Sequence, residues 1–329
     1  MRRHATTSST RVSKLSSIIR FASRDNERIW GGTRFQSTTD TPIGERWLFS
    51  DLPDQNTVVQ YSGIAFSELI ATHGERLMGS RGAGWTHFPL LFKLLDTGAP
   101  LSLQVHPGEE TAKTHHDWNS KNEMWVVLKS DHQSELILGT KTPHTSTQEV
   151  VRIASPAQLQ EVVNVERAQK DTAYMIPAGL VHGIGSGILI FEVQQSSDTT
   201  FRVYDYDRKD AQGNARQLHH KESAIAIDPK LRHSAVSLDD LDGIVIENEF
   251  FKTARQIVTE QKGQLLLATG ESPTVLFALH DGIQVETTDA AVTLQQYELV
   301  LIPAYVDQAM VHGTQQSALI RITLPELKA

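Results

Sequence analysis

The sequence predicts an all-β fold, a sandwich or barrel dominated by short strands with a few short helices. Three observations carry that expectation. Apolar runs rich in Val, Ile, Leu, Phe and Tyr recur along the body of the chain, most of them four to eight residues long, separated by Gly, Pro, Asn and Asp. Helix candidates are few. A stretch near the C-terminus echoes one near the middle. With 329 residues, 39% hydrophobic and 21% charged, the chain has a soluble globular composition and the length of two domains or one large one.

Residues 1–20 come first. They carry Arg2, Arg3, Arg11, Lys14 and Arg20 with no acid, and are rich in Ser and Thr. That is the composition of a mitochondrial transit peptide, and the lack of an apolar core segment excludes a secretory signal. A disordered basic tail is the plainer reading, so residues 1–25 are set apart as a disordered arm. Residues 66–78 (FSELIATHGERLM) are the first helix candidate. Strands follow at 101–106, 124–129 and 135–138, with a loop rich in His, Asn, Lys and acids at 107–122. A helix is expected over 156–169, strands at 173–177 and 187–194, and a helix at 221–226. Strands at 264–269, 274–278, 291–294 and 297–303 close the series. Residues 173–193 and 297–323 both run from a strand into Ile-Pro-Ala, through a turn, and into another apolar strand. Such a trace is what a duplicated β-barrel would leave. In the second copy Gln308 stands where His182 stands in the first. The resulting division is a first domain over 26–240 and a second over 241–329.

Charge and composition exclude several functions. The net charge is −8, but residues 1–20 hold five of the basic side chains, leaving 26 basic against 39 acidic in the body. A body that acidic lacks the Lys and Arg needed to neutralise a nucleic acid. No apolar run approaches the ~18 residues of a membrane span. Cysteine is absent, which removes disulfides, thiolate zinc sites and cysteine nucleophiles and favours a cytoplasmic protein.

One constellation points to a metal. In Leu103-Gln104-Val105-His106-Pro107 the alternation of a strand puts Gln104 and His106 on one face. Glu123 stands at the mouth of the next strand, after Lys121. His182 ends the turn Pro177-Ala178-Gly179-Leu180-Val181-His182. Two imidazoles, a carboxylate and an amide oxygen form a borderline-hard donor set for which zinc leads, with Fe(II), Mn(II) and Co(II) also suited. Taken singly, each residue has an ordinary explanation, such as a core histidine, a surface carboxylate or a turn residue. Jointly, the x-His strand, the following Glu and the Pro-x-Gly-x-x-His turn form the double motif of a cupin barrel, so the fold expectation sharpens to two cupin-type jelly-roll barrels.

Further motifs stand in one order along the chain. They are Glu27-Arg28-Ile29-Trp30-Gly31-Gly32, Ile43-Gly44-Glu45-Arg46-Trp47, Phe88-Pro89-Leu90-Leu91-Phe92-Lys93-Leu94-Leu95-Asp96, Gln104-Val105-His106-Pro107 and the long run from Glu192 to Arg208. With these the chain resembles the class I mannose-6-phosphate isomerases, in their short bacterial form, over nearly all of residues 26–329. The resemblance implies an enzyme interconverting mannose 6-phosphate and fructose 6-phosphate, with one Zn2+ per chain on Gln104, His106, Glu123 and His182. It places active-site cations on Arg202 and Lys121 and a second active-site carboxylate on Glu192. It implies a small sugar phosphate as partner, no nucleic acid, no membrane, and a monomer or homodimer. The basic arm is not part of the short bacterial form, so organelle targeting stays open beside a cytoplasmic location. Other readings are a sugar-binding or regulatory cupin, an isomerase of another hexose 6-phosphate, and an iron cupin. The last usually presents His-x-His on the first strand, where this chain has Gln104.

Overall fold

A computed structural model of the protein describes residues 15–325 except 36–39, 211, 260–263, 268–269 and 314–316. Strands dominate. The first part of the chain runs β1 (Phe21–Ala22), β2 (Arg24–Glu27), β3 (Ile43–Phe49), β4 (Val58–Val59), α1 (Phe66–Met78), β5 (Leu90–Thr97), β6 (Leu103–Val105), α2 (Glu109–Lys113), β7 (Glu123–Ser130) and β8 (Glu135–Thr140). Next come α3 (Thr147–Val151), α4 (Pro156–Val162), β9 (Val163–Arg167), β10 (Thr172–Ile176), β11 (His182–Ile184), β12 (Ile188–Gln195), β13 (Phe201–Tyr204), α5 (His220–Ala226) and β14 (Ser234–Ser237). The last part holds β15 (Gly243–Glu247), β16 (Lys252–Val258), β17 (Gln264–Leu267), β18 (Thr274–Ala278), β19 (Ile283–Glu286), β20 (Ala291–Leu294), β21 (Leu299–Ile302), β22 (Gln308–His312) and β23 (Ser317–Thr323).

These strands make four stacked sheets and one two-stranded ribbon, β1-β4. A seven-stranded sheet, β14-β10-β7-β12-β5-β3-β2, packs on a five-stranded sheet, β13-β6-β11-β8-β9. Trp125, Val127, Leu136, Leu138, Tyr174, Ile176, Ile184 and Ile190 fill the space between them. In the C-terminal part, β15-β16-β23-β18-β21 packs on β17-β22-β19-β20 around Leu276, Ile283, Val285, Val300, Ile302, Val311 and Leu319. The two larger sheets then meet back to back through Phe92, Met124, Val126, Phe191, Phe277, Ile320 and Ile322. A sheet buried on both faces needs strands without polar alternation. That accounts for β5, LLFKLLDT, in which every residue is buried.

The echo seen in the sequence is an echo in topology. The order β10-β7-β12-β5-β3 is repeated as β21-β18-β23-β16-β15, and β6-β11-β8-β9 as β17-β22-β19-β20. Hydrogen bonding keeps each pair as two separate sheets.

Three sequence-based expectations change in detail. The helix over 156–169 stops at Val162. Ser155 caps its start and Pro156 takes its first turn, but Val163 and Val165 then pair with β8 as part of β9. The loop 107–122 contains the short helix α2. Residues 1–14 of the basic arm lie outside the described residues, but its end is packed. Leu15, Ile18 and Ile19 are buried, Ile19 exchanges backbone hydrogen bonds of 2.9 and 3.0 Å with Leu301, and the Tyr305 hydroxyl donates to the Leu15 carbonyl at 3.0 Å. The ordered chain therefore begins before residue 26. No helix among the described residues is long and apolar enough to cross a membrane.

Candidate metal centre

The site lies between the seven-stranded sheet and its five-stranded neighbour, and strand register builds it. In the smaller sheet β6 runs between β11 and β13, so Gln104 lies opposite His182 on one side and Arg202 on the other. Residues opposite one another in adjacent strands share a face. In the larger sheet Trp125 of β7 lies opposite Glu192 of β12, Glu192 opposite Lys93 of β5, and Lys93 opposite Trp47 of β3. From these two rows Gln104, Arg202, Trp125, Glu192 and Lys93 line a cavity of about 470 Å3 between the sheets.

Three sequence-predicted ligands converge beside it. One donor atom from each of His106, Glu123 and His182 lies within 4.8 Å of the others. His106 Nε2 stands 3.5 Å from Glu123 Oε2, and His182 Nε2 stands 3.4 Å from Glu123 Oε1. Each imidazole is oriented from behind. His106 Nδ1 donates to the Thr199 carbonyl at 2.9 Å, and His182 Nδ1 to the Leu180 carbonyl at 2.8 Å. That arrangement turns both Nε2 lone pairs toward Glu123. The fourth predicted ligand, Gln104, reaches the same point, its amide nitrogen 3.4 Å from His182 Nε2. Rotating the amide presents its oxygen instead.

Two supports hold the segments in place. Asn122 accepts from the Ala178 N–H through Oδ1 (2.9 Å) and donates to Gln195 Oε1 through Nδ2 (2.9 Å), joining the loop after β6, the turn before β11 and the end of β12. Gly179 turns at φ +91°, where a side chain would be strained, and its N–H donates to the His106 carbonyl at 2.8 Å.

The donor set fits a divalent cation. His106 Nε2 and both Glu123 oxygens are buried without a hydrogen-bond partner. Buried polar atoms normally have one, and three unsatisfied acceptors aimed at one point mark a cation site. Lys121 Nζ approaches Glu123 Oε2 to 3.1 Å as an ion pair, outside hydrogen-bonding geometry. Burial pushes the Glu123 carboxyl up, but Lys121 and the two imidazoles outweigh it and hold it well below the usual range. Burial, with Lys121 nearby, pushes His106 down to about 3, and burial pushes His182 down as well. All three are therefore in the protonation state a metal ligand needs.

Further along the cavity stands Glu192. Its Oε1 accepts from Trp125 Nε1 at 3.0 Å, and its Oε2 lies 3.7 Å from Lys93 Nζ. Burial and the negative charge of Glu123 push Glu192 up to about 7. Burial alone would lower Lys121, but Glu123 and Glu192 keep it cationic. The predicted Arg202 lines the cavity, as do Arg28, Arg216 and His219, which sequence reasoning did not single out. Lys93 was missed too. Its signal is a lone lysine inside an unbroken apolar strand, where it is buried against Glu192 and over the Trp47 ring at 4.4 Å.

Comparison with known proteins agrees with this geometry. Residues 19–147 match the family model for the catalytic domain of type I phosphomannose isomerase. A mannose-6-phosphate isomerase of Bacillus subtilis is 38% identical over 213 residues, 61% of this chain and 65% of that relative's length. The match thus spans less than two thirds of that relative's length. The crystal structure of a mannose 6-phosphate isomerase from Bacillus subtilis superposes with a TM-score of 0.79 at 26% identity, covering 93% of this chain and 99% of that one. A zinc-bound mannose 6-phosphate isomerase shares the fold at TM-score 0.72 and 13% identity, over 94% of this chain and all of that one. In the family model it matches, in its relatives and in its fold, the chain is similar to type I phosphomannose isomerases.

Proposed function

We propose that the protein is a metal-dependent aldose–ketose isomerase that interconverts mannose 6-phosphate and fructose 6-phosphate through a cis-enediol. One observation carries the reading: the buried His106–Glu123–His182 cluster, with its unsatisfied donor atoms, lies against Gln104 and Lys121, which line a cavity that also holds a high-pKa carboxylate and several cations. Zinc is the metal we assign to Gln104, His106, Glu123 and His182. Bound there, it supplies positive charge beside the oxyanion that develops as a proton moves between C1 and C2.

The remaining work falls to the chain's own groups. Glu192 is the base. A carboxyl titrating near neutrality can take a proton from carbon and return it, as a reversible isomerisation requires. Trp125 Nε1 fixes one of its oxygens, leaving Oε2 toward Lys93. Lys121 places a buried point charge beside Glu123. Arg202 offers a planar fork to an anionic oxygen. We also read the two sheet pairs as two cupin-type jelly rolls, divided near residue 240, of which only the first keeps the metal ligands. The repeated strand order supports that reading.

A coupled mannose 6-phosphate assay on chelator-stripped protein, with and without zinc, tests the proposal. Activity restored by zinc is expected. Inactivity with zinc, iron, manganese and cobalt would instead identify a sugar-binding protein on the same scaffold. Side-by-side rates with other hexose 6-phosphates test the substrate.

A further inference from the structure

We propose that a second cavity, on the opposite face of the seven-stranded sheet from the metal donors, binds a small phosphate monoester among Arg20, Arg34, Arg46 and Lys129. Neither the metal donors nor the cavity beside them take part, so the site stands or falls independently of the isomerase reading.

This sheet carries a cavity on each face. Along β3, Glu45 lines the cavity beside the metal donors and Arg46 the second one. Along β5, Lys93 and Leu95 line the first and Leu94 the second, as strand alternation requires. Arg46 lies opposite Leu94. Lys129 of β7 reaches the same face past a register shift between Leu189 and Ile190, where the alternation breaks. Tyr297, Glu298 and Leu299 contribute from the C-terminal part, and Arg20 from the segment before β1. The cavity measures about 690 Å3, within the ~300–1,000 Å3 of small-molecule sites.

Four cations line it against one carboxylate, Glu298. Two of them are tethered by carboxylates that do not line it. Arg34 pairs with Asp96 Oδ1 at 2.6 Å and Asp131 Oδ1 at 3.3 Å, and Arg46 holds Asp25 through Nε at 2.6 Å and a terminal nitrogen at 2.8 Å. Those pairings fix the two planar forks in place. Arg20 donates to the Thr293 carbonyl and lies 3.4 Å from Glu298, but its Nε is buried without a hydrogen-bond partner. Among the described residues Lys129 has no ion pair, and its Nζ stands 6.0 Å from the centre of the Tyr297 ring. An unpaired ammonium, a spare donor and two fixed forks suit a phosphate, which brings nearly two negative charges and three strong acceptors at neutral pH. Walls of one sign concentrate such an anion. A free phosphate would fill only a small part of the volume. Leu48, Leu94, Leu189 and Tyr297 offer apolar surface to an organic body, which is why a monoester fits better.

Lys129 is exposed, so its reductive methylation, read by mass spectrometry on metal-loaded protein, reports occupancy directly. Inorganic phosphate, mannose 6-phosphate and adenosine monophosphate are the probes, and the two monoesters tell a sugar body from a nucleoside one. At about ten times its half-protecting concentration, a monoester should slow Lys129 methylation about tenfold. It should do so at a lower concentration than inorganic phosphate. Arg20→Gln should raise the half-protecting concentration about tenfold. Arg46→Lys keeps a charge beside Asp25 but loses the fork, and should give a smaller rise. Protection should persist in Arg202→Ala, whose lesion lies in the other cavity. Equal protection by sodium chloride at matched ionic strength would reduce the effect to screening and overturn the proposal. So would an unchanged half-protecting concentration in Arg20→Gln, or loss of protection in Arg202→Ala. Inorganic phosphate protecting as well as either monoester would overturn the assignment of the ligand. Protein that shows the protection yet does not turn over mannose 6-phosphate would retire the isomerase reading and leave this site standing.

Discussion

Glu123 receives His106 on one oxygen, His182 on the other, and Lys121 alongside. Removing a ligand from this cluster should cost metal and activity rather than fold. His182→Ala is expected to lose metal by elemental analysis and to lose activity, with an unchanged circular dichroism spectrum. Arg202→Ala should keep the metal and lose turnover by about a hundredfold, the usual scale for removing one charge stabiliser. Activity should also report Glu192. A base must be ionised, so kcat/KM should rise with pH as Glu192 loses its proton and flatten above, with a midpoint below the metal-free value of about 7 because a cation on Glu123 offsets the charge that raises it, and Glu192→Gln should lose both that limb and most of the rate. The four candidate ligands were legible because strand alternation pairs Gln104 with His106 and because the motif turn ends at His182. Lys93 was hidden by its apolar neighbours. Arg28, Arg216 and His219 were hidden because they meet only through tertiary folding, from segments that share no spacing.

Each central strand divides its side chains between two environments. On β7, Glu123, Trp125 and Val127 face the cavity side, and Met124, Val126 and Leu128 face the back-to-back interface. Nine strands could be read from their apolar runs to within about two residues, while others, such as β3, β5 and β16, could not. What could not be read was whether an apolar run after a helix prolongs it or starts a strand. At 162–165 the choice falls to strand because β8 offers an edge to pair with. Residues 15–20 were equally opaque, since their basic and hydroxyl neighbours mask three core residues. Truncation measures their weight. Removing residues 1–20 rather than 1–14 strips away Leu15, Ile18 and Ile19, each worth about 2 kcal/mol of burial. The longer truncation should melt on the order of 10 °C lower in a thermal scan.

The molecule is held across its middle by two sheets meeting back to back. Phe191 and Phe277 stack at 3.7 Å with rings 2° from parallel, one from each sheet. Phe191→Ala should destabilise by about 3–5 kcal/mol, read as a lower denaturant midpoint. Of the duplication, the sequence disclosed only the recurring Ile-Pro-Ala, because strand order is carried by pairing and not by residue identity. Register extends the correspondence. Ile302 pairs with Thr274 as Ile176 pairs with Glu123, Gln308 pairs with Leu267 as His182 pairs with Gln104, and Arg321 pairs with Ala254 as Glu192 pairs with Lys93. One architecture is thus present twice in a single chain, once with the donors and once without. The copy without them packs its two sheets on apolar side chains. A metal held by His106, Glu123 and His182 would then be an addition to an architecture that packs elsewhere without those donors, leaving its affinity open to tuning by exchange and chemistry.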